Sequence, residues 1–261
     1  MIATAATVAA MIVLTAVLGP GLTDRLPSAT VGTPFSASTS AYPLGTDVLG
    51  RDVLARLLHG GRLVVGVAVG ATLLATALSA AFGVLVALSA KWMGELATRM
   101  TDTVAVLPAL LVVLLLAASF PGSDLAVLAA VTVTTVPFSA RVVRSAARRV
   151  IVQSYTETAR ARGDSTWHVV RRDIAPNIAG VVFADAGVRF AGAVSLTATA
   201  GFLGLGSRSG APNWGRMVAE NLPGSELAVL PVLAPALVLV LFVLVVNLLA
   251  DELASRIGRL A

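Results

Sequence analysis

Residues Gln153 to Asn177 read Q-S-Y-T-E-T-A-R-A-R-G-D-S-T-W-H-V-V-R-R-D-I-A-P-N, an arginine-rich stretch with an apolar run following it. Tyr155 to Arg162 make a short helix of about two turns. Gly163 ends it, because glycine takes the left-handed C-cap conformation freely. Asp164 or Ser165 caps a second helix, with Trp167, Val170 and Ile174 along one face. Pro176 then rigidifies the start of the next apolar run, where a missing N–H costs least. Two readings fit these residues: a solvated basic loop with a turn, or a short helix mounted across the base of a helical bundle.

The chain around this stretch decides what kind of bundle that is. It has 261 residues, 57% hydrophobic and 13% charged, against roughly 25% charged in soluble domains. A soluble fold of this length cannot hide so much apolar surface, whereas lipid accepts it. Apolar stretches near the roughly 20 residues of a membrane-crossing helix occur at about Ile2–Leu18, Leu63–Ala90, Thr103–Phe120, Asp124–Ala140, Ile178–Phe202 and Leu227–Ala250. The expectation is an all-α transmembrane protein, a six-helix polytopic bundle. Residues 1–62 hold a first span, an external loop and an interfacial helix; 63–251 form a core of five spans with the loop 141–177; 252–261 are a tail.

The arginines set the expected orientation. Arg141, Arg144, Arg148, Arg149, Arg160, Arg162, Arg171 and Arg172 crowd between the fourth and fifth runs, opposed by Glu157, Asp164 and Asp173. That loop is expected in the cytoplasm, which puts both termini there as well, in agreement with Arg256 and Arg259. The first loop carries Arg25, Arg51, Arg56 and Arg62, yet falls outside on this count; it is long, and Asp24, Asp47 and Asp52 sit among them. A cleaved signal peptide is the rival for the first run, but no Lys or Arg precedes it. The formal charge of +5 reads as topology, not as a nucleic-acid surface, because the arginines flank apolar runs.

Several chemistries are disfavoured. Cysteine is absent, which excludes disulfides and thiolate metal sites. The single lysine, Lys91, is followed by Trp92, so no phosphate-binding G-x-x-x-x-G-K-[ST] loop exists. His59 and His168 are far apart in sequence, and no metal site is expected. The pair Asp185 and Arg189 falls inside the fifth run, four apart on one helical face. Ionisable residues at membrane depth are costly and often functional; this pair either lines a path or forms a structural ion pair.

The 153–177 stretch resembles the E-A-A-x-x-x-G signature of importer permeases of the ATP-binding cassette (ABC) class. Glu157, Ala159 and Gly163 stand at its spacing, and Asp173-Ile174-Ala175-Pro176-Asn177 echoes the I-x-x-x-H-x-L-P-N that comes after it. Thr158, Asp173 and Ala175 depart from the usual Ala, His and Leu. Further stretches are similar to one branch, the second permease of dipeptide, oligopeptide and nickel importers. Leu44 to Arg56 matches its G-T-D-x-x-G-R-D-x-x-x-R through Gly45, Thr46, Asp47, Gly50, Arg51, Asp52 and Arg56. Gly201 to Gly206 followed by Pro212-Asn213-Trp214-Gly215 resembles S-F-L-G-x-G … P-x-W-G, with Gly201 where serine is usual. Asn247 to Asp251 resembles N-x-x-G-D, with Ala250 for Gly.

The resemblance implies a MetI-like permease fold and a multi-pass place in the bacterial cytoplasmic (inner) membrane. It implies a homologous second permease, two cytoplasmic ATPases that carry ATP and Mg, and an extracytoplasmic substrate-binding protein. The loop becomes a coupling helix, with Tyr155, Glu157, Ala159, Arg160, Gly163, Asp164, Trp167, Pro176 and Asn177 as candidate ATPase-coupling residues. The chain itself is expected to bind no cofactor and catalyse no reaction. Peptides lead as cargo, with nickel or another small solute behind; an ion-coupled secondary transporter and an intramembrane enzyme are the other classes. From the residues alone, the cluster Asp47, Arg51, Asp52 and Arg56 reads as a surface ion-pair group or a substrate contact, and Gly204, Gly206 and Gly210 equally as a tight re-entrant turn or a substrate contact.

Overall fold

A computed structural model describes residues 2–206 and 211–258, with side chains at 7–206 apart from Arg160, at 211–252, and at 254 and 255. Gly210 and Arg259 lie outside the described residues, and Arg160 and Arg256 outside the described side chains. Among the described residues regular structure is helical, and the only extended pairing is two isolated bridges, Thr30 with Arg51 and Thr46 with Asp52. The helices are α1 (Ile2–Leu18), α2 (Val53–Leu88), α3 (Lys91–Val106), α4 (Ala109–Ser119), α5 (Asp124–Ile151), α6 (Ser154–Ala161), α7 (Thr166–Val169), α8 (Ala175–Phe202), α9 (Trp214–Asn221) and α10 (Leu230–Gly258).

The six expected spans appear in altered form. Among the described residues four helices are long and apolar enough to cross a membrane: Val53–Leu88, Asp124–Ile151, Thr166–Phe202 and Leu230–Glu252. The third expected span is not one helix; it is the pair α3 and α4, bent by 83°. Leu107 sits extended before Pro108, as a residue preceding proline must, and α4 restarts from the Pro108 carbonyl, which accepts from Leu111 and Val112 N–H. The first expected span is present with its expected bounds but is short, 17 residues, or ~25 Å at the helical rise.

The expected interfacial helix is also corrected. Asp52 to Leu58 is no separate surface helix but the first turns of α2, which runs 36 residues without a break. Asp52 caps it, its carboxylate accepting from Leu54 and Ala55 N–H. The helix passes through Gly60 and Gly61 because the Trp214 ring fills the space that side chains would take: a Cβ on Gly61 would lie 2.3 Å from Trp214 Cζ2.

The α2 and α5 helices form the most extensive pair. They close tightly at Gly83, where a Cβ would stand 2.8 Å from Val143, and Ser79 Oγ donates to the Val136 carbonyl at 3.1 Å. One apolar core joins α1, α2, α4, α5, α8, α9 and α10 around Val64, Val131, Val194, Trp214 and Phe242. A second, smaller core lies where α5, α6, α7 and α8 meet the end of α2.

Candidate functional site

The second core explains how the 153–177 stretch is held. Thr156 is fully buried and its hydroxyl donates to the Val150 carbonyl at 3.0 Å. Ala159 is buried in one cluster with Val143, Ala147, Val169 and Ile174. Gly163 has φ +87°, and the Asp164 N–H reaches back to the Ala159 carbonyl at 3.2 Å. That is the six-to-one bond of a glycine-terminated helix. Ser165, of the two expected caps, takes the role and accepts from His168 N–H.

Beyond Ser165 the structure departs from expectation. The second helix does not stop before a separate span: α7 continues through a π turn, Val170–Ile174, into α8. Pro176 sits in the first turn of α8, and the Asn177 side chain donates to the Asp173 carbonyl at 2.6 Å. The wider π turn shifts the helical phase, so Val169 and Ile174 turn inward while Trp167 turns out, 72% exposed. Tyr155 is 45% exposed, and Glu157, Arg162 and Trp167 share the outer surface with it. Arg162, Asp164, His168, Arg172 and Asp173 line a polar pocket of ≈ 360 Å³.

The motif at 45–56 is no surface group. Asp47 and Arg56 are fully buried, Arg51 and Asp52 nearly so. Gly45 and Gly50 both have φ +71°, and a Cβ on Gly50 would lie 2.1 Å from the Gly32 carbonyl oxygen, so this turn requires glycine. Asp47 Oδ1 accepts from Leu49 and Arg51 N–H at 2.8 and 2.9 Å. Its Oδ2 accepts from Arg51 Nε at 2.7 Å and from Arg56 Nη1. Burial pushes the Asp47 carboxyl up, but the Arg51 N–H and the Arg56 guanidinium outweigh it, and the group lies below its ordinary value.

Glu220 of α9 completes the cluster, pairing Arg51 at 3.0 Å and Arg56 at 2.9 Å. Asn221 adds a bond from Val48 N–H at 2.9 Å, and Thr46 Oγ1 donates to the Thr33 carbonyl. Arg25 pairs Asp52 at 2.7 Å. The sequence gives no sign of Glu220, Asn221 or Arg25 as members: Glu220 and Asn221 lie in an unremarkable short segment, and nothing local marks their distant partners.

The 201–215 motif adjoins that cluster through α9. Gly204 and Gly206 have φ +77° and +85°, as a tight turn demands. Pro212 leads into Asn213, whose side chain caps α9 by accepting from Gly215 and Arg216 N–H. Trp214 Nε1 donates to the Leu57 carbonyl at 2.7 Å, and Gly215 packs on the backbone of α8, where a Cβ would lie 2.0 Å from the Ala198 oxygen. Asp185 and Arg189 pair at 3.2 Å on α8, and Ser139 of α5 donates to the same carboxylate.

The mounted 153–177 helix, the buried cluster and the capped α9 occur together in a helical chain with four to five apolar spans among its described residues. Residues 79–259 match the family model of the binding-protein-dependent transport system inner membrane component. The chain belongs to this family. It is thus a permease subunit of an ABC importer, an inner-membrane component. It is similar to the di/tripeptide transport system permease protein DppC of Pseudomonas aeruginosa, 30% identical over 83% of this chain and 71% of that one. A putative peptide transport system permease of Brucella suis is 31% identical over 93% and 82%. The glutathione transport system permease protein GsiD of Pectobacterium atrosepticum is 30% identical over 84% and 73%.

In fold, the permease resembles a chain of the inward-facing MetNI methionine ABC transporter, with TM-score 0.64, 16% identity, and coverage of 77% of this chain and 96% of that one. The all-helical, MetI-like expectation is therefore met. Among the described residues of the permease, no group of three or more His, Cys, Asp or Glu side chains is placed to hold a metal.

Proposed function

We propose that this permease forms half of a path for small peptides, and that the 153–177 helix couples it to ATPase subunits on the cytoplasmic side. The observation that carries this reading is the division of labour within that helix. Thr156, Ala159, Val169 and Ile174 fix it to the bundle, while Tyr155, Glu157 and Trp167 stay exposed. A lever needs a rigid mount and a free outer surface. Exposed aromatics on a polar loop suit a partner interface, where aromatic residues are enriched at the centre.

The remaining parts accord with this orientation. Both termini face the cytoplasm, and the Asp47–Arg56 cluster with α9 faces outward, where a binding protein would deliver cargo. A homologous second permease supplies the other half of the path. The chain binds no cofactor and catalyses no reaction; two partner ATPases hold ATP and Mg. ATP-driven closure of those subunits moves the loop and biases the spans between two packings. Peptide cargo rests on the names of the relatives, with nickel or another small solute as the alternative.

The test is purification of the tagged permease from its own membrane in mild detergent, then reconstitution in vesicles. Recovery of a second permease and P-loop ATPases, with ATP-dependent uptake of tripeptides, supports the reading. Recovery of this chain alone, with uptake driven by an ion gradient, would overturn it.

A further inference from the structure

Two of the long helices are equally uncovered and differ in kind. The Thr166–Phe202 and Leu230–Glu252 windows are each only 22% buried, yet their hydropathies are 1.4 and 3.0. The open side of α10 carries Leu233, Leu237, Val240, Leu241 and Leu244, which lipid accepts. The open side of α8 carries Val188, Gly192, Ser195 and, at its end, Phe202, with Thr199 half-buried between them. The two hydroxyls bond to carbonyls of their own helix, Ala191 and Ser195, so they tolerate an apolar neighbour. A guanidinium does not, and Arg189 lies beside this face.

Asp185 is engaged at both oxygens. One carboxylate oxygen receives the Ser139 hydroxyl, the other faces Arg189 Nη2 at 3.2 Å, and its side chain is 11% exposed. Arg189 is under-used by comparison. Its guanidinium lies over the Phe138 ring at 5.5 Å, its Nε is buried with no acceptor, and the side chain is 28% exposed. The cation is held in place, open on one side, and short of acceptors. An ionisable group at membrane depth faces protein or a water-filled space, and the small Gly192 and Ser195 on the open side of α8 fit the latter.

We propose that Arg189 receives the carboxylate of the cargo as it passes along α8, with Asp185 as the positioning residue that holds the guanidinium against α5. This rests on the peptide-import reading. Every linear peptide carries one C-terminal carboxylate whatever its sequence, and the planar guanidinium fork matches it in two parallel hydrogen bonds.

The experiment measures binding of trialanine and of trialanine amide to the purified, nucleotide-free transporter, without binding protein, by calorimetry. The wild type is compared with Arg189→Gln and Arg189→Lys, and subunit composition and ATP-dependent trialanine uptake are checked alongside. The wild type should favour the free carboxylate by about tenfold or more, the range of a charge-assisted pair. Arg189→Gln should lose that preference while holding its affinity for the amide, and Arg189→Lys should recover part of it. Equal losses for both ligands, or none, overturn the proposal. Loss of a subunit from both variants overturns it too, by making Arg189 a contact between chains. A wild type that imports trialanine but binds the amide as well sinks Arg189 alone; one that imports no peptide sinks the import reading and this inference with it.

Discussion

Gly201 and Asn213 are in direct contact: a Cβ on Gly201 would stand 2.3 Å from Asn213 Oδ1. The end of α8 and the cap of α9 therefore share one space, and Asn213 has taken the part that a larger residue at 201 would need. The motif this segment resembles carries serine there. Gly201→Ser is expected to lower the detergent-solubilised stability by about 1–3 kcal/mol, the usual overpacking cost. Asn213→Gly costs a few tenths of a kcal/mol through the lost side-chain cap. The double variant should be more stable than the sum of the two, with a coupling of at least ~0.5 kcal/mol. Additive melting shifts would show that the two side chains do not compete.

The Asp47 carboxylate is the shared anion of two buried guanidiniums, so its removal leaves both to Glu220 alone. Asp47→Ala is expected to destabilise by about 3–5 kcal/mol, the cost of breaking a buried pair, and to release α9 in part from the 45–52 turn, which Glu220 and Asn221 still hold. Limited proteolysis near Glu220 reads that release. An unchanged cleavage pattern would mean that Glu220, Asn221 and Trp214 hold α9 without Asp47.

Acid should act on the same carboxylate. Its value is lowered by folding, from an ordinary 3.8, so its contribution is full above that ordinary value. It is lost as the pH falls through the lower, folded value. Melting temperature should accordingly fall on acidification in the wild type. In Asp47→Asn this part of the fall should be missing, which thermal scans across the acid range will show.

Much of the fold is legible in sequence because the deciding signals are local. Gly163, Ser165 and all but the third of the apolar runs stand where chemistry acting within a turn or two puts them. Sequence and structure part where distant residues intervene. Gly60 and Gly61 read as a gap between a surface helix and a span, but Trp214, far along the chain, covers them and the helix continues. Pro108 and Pro137 look alike in sequence. Pro137 lies buried inside α5, packed along α2, whereas Pro108 breaks its helix in two. A period of 3.6 residues per turn puts Trp167 on the inner face, but a π turn within the same segment breaks that period. The ion cluster needs Glu220, and no local pattern connects it to Asp47.

Gly163 offers the cleanest separation of fold from coupling. A Cβ there meets nothing within 4 Å, so the residue matters only through its φ of +87°. Gly163→Ala should therefore cost about 1–2 kcal/mol of left-handed strain and leave the loop in place. Gly163→Pro is different, because proline fixes φ near −65° and forces α6 to meet α7 at another angle. In the reconstituted transporter, Gly163→Pro should lower uptake about tenfold, ~1.4 kcal/mol of lost coupling, while ATP hydrolysis continues. Glu157→Ala, on the exposed side of α6, should do the same without altering the spans. The ratio of solute moved to ATP hydrolysed is the quantity to measure. A ratio unchanged in both variants would remove the loop from the mechanism, since neither its shape nor its outward charge would then transmit anything.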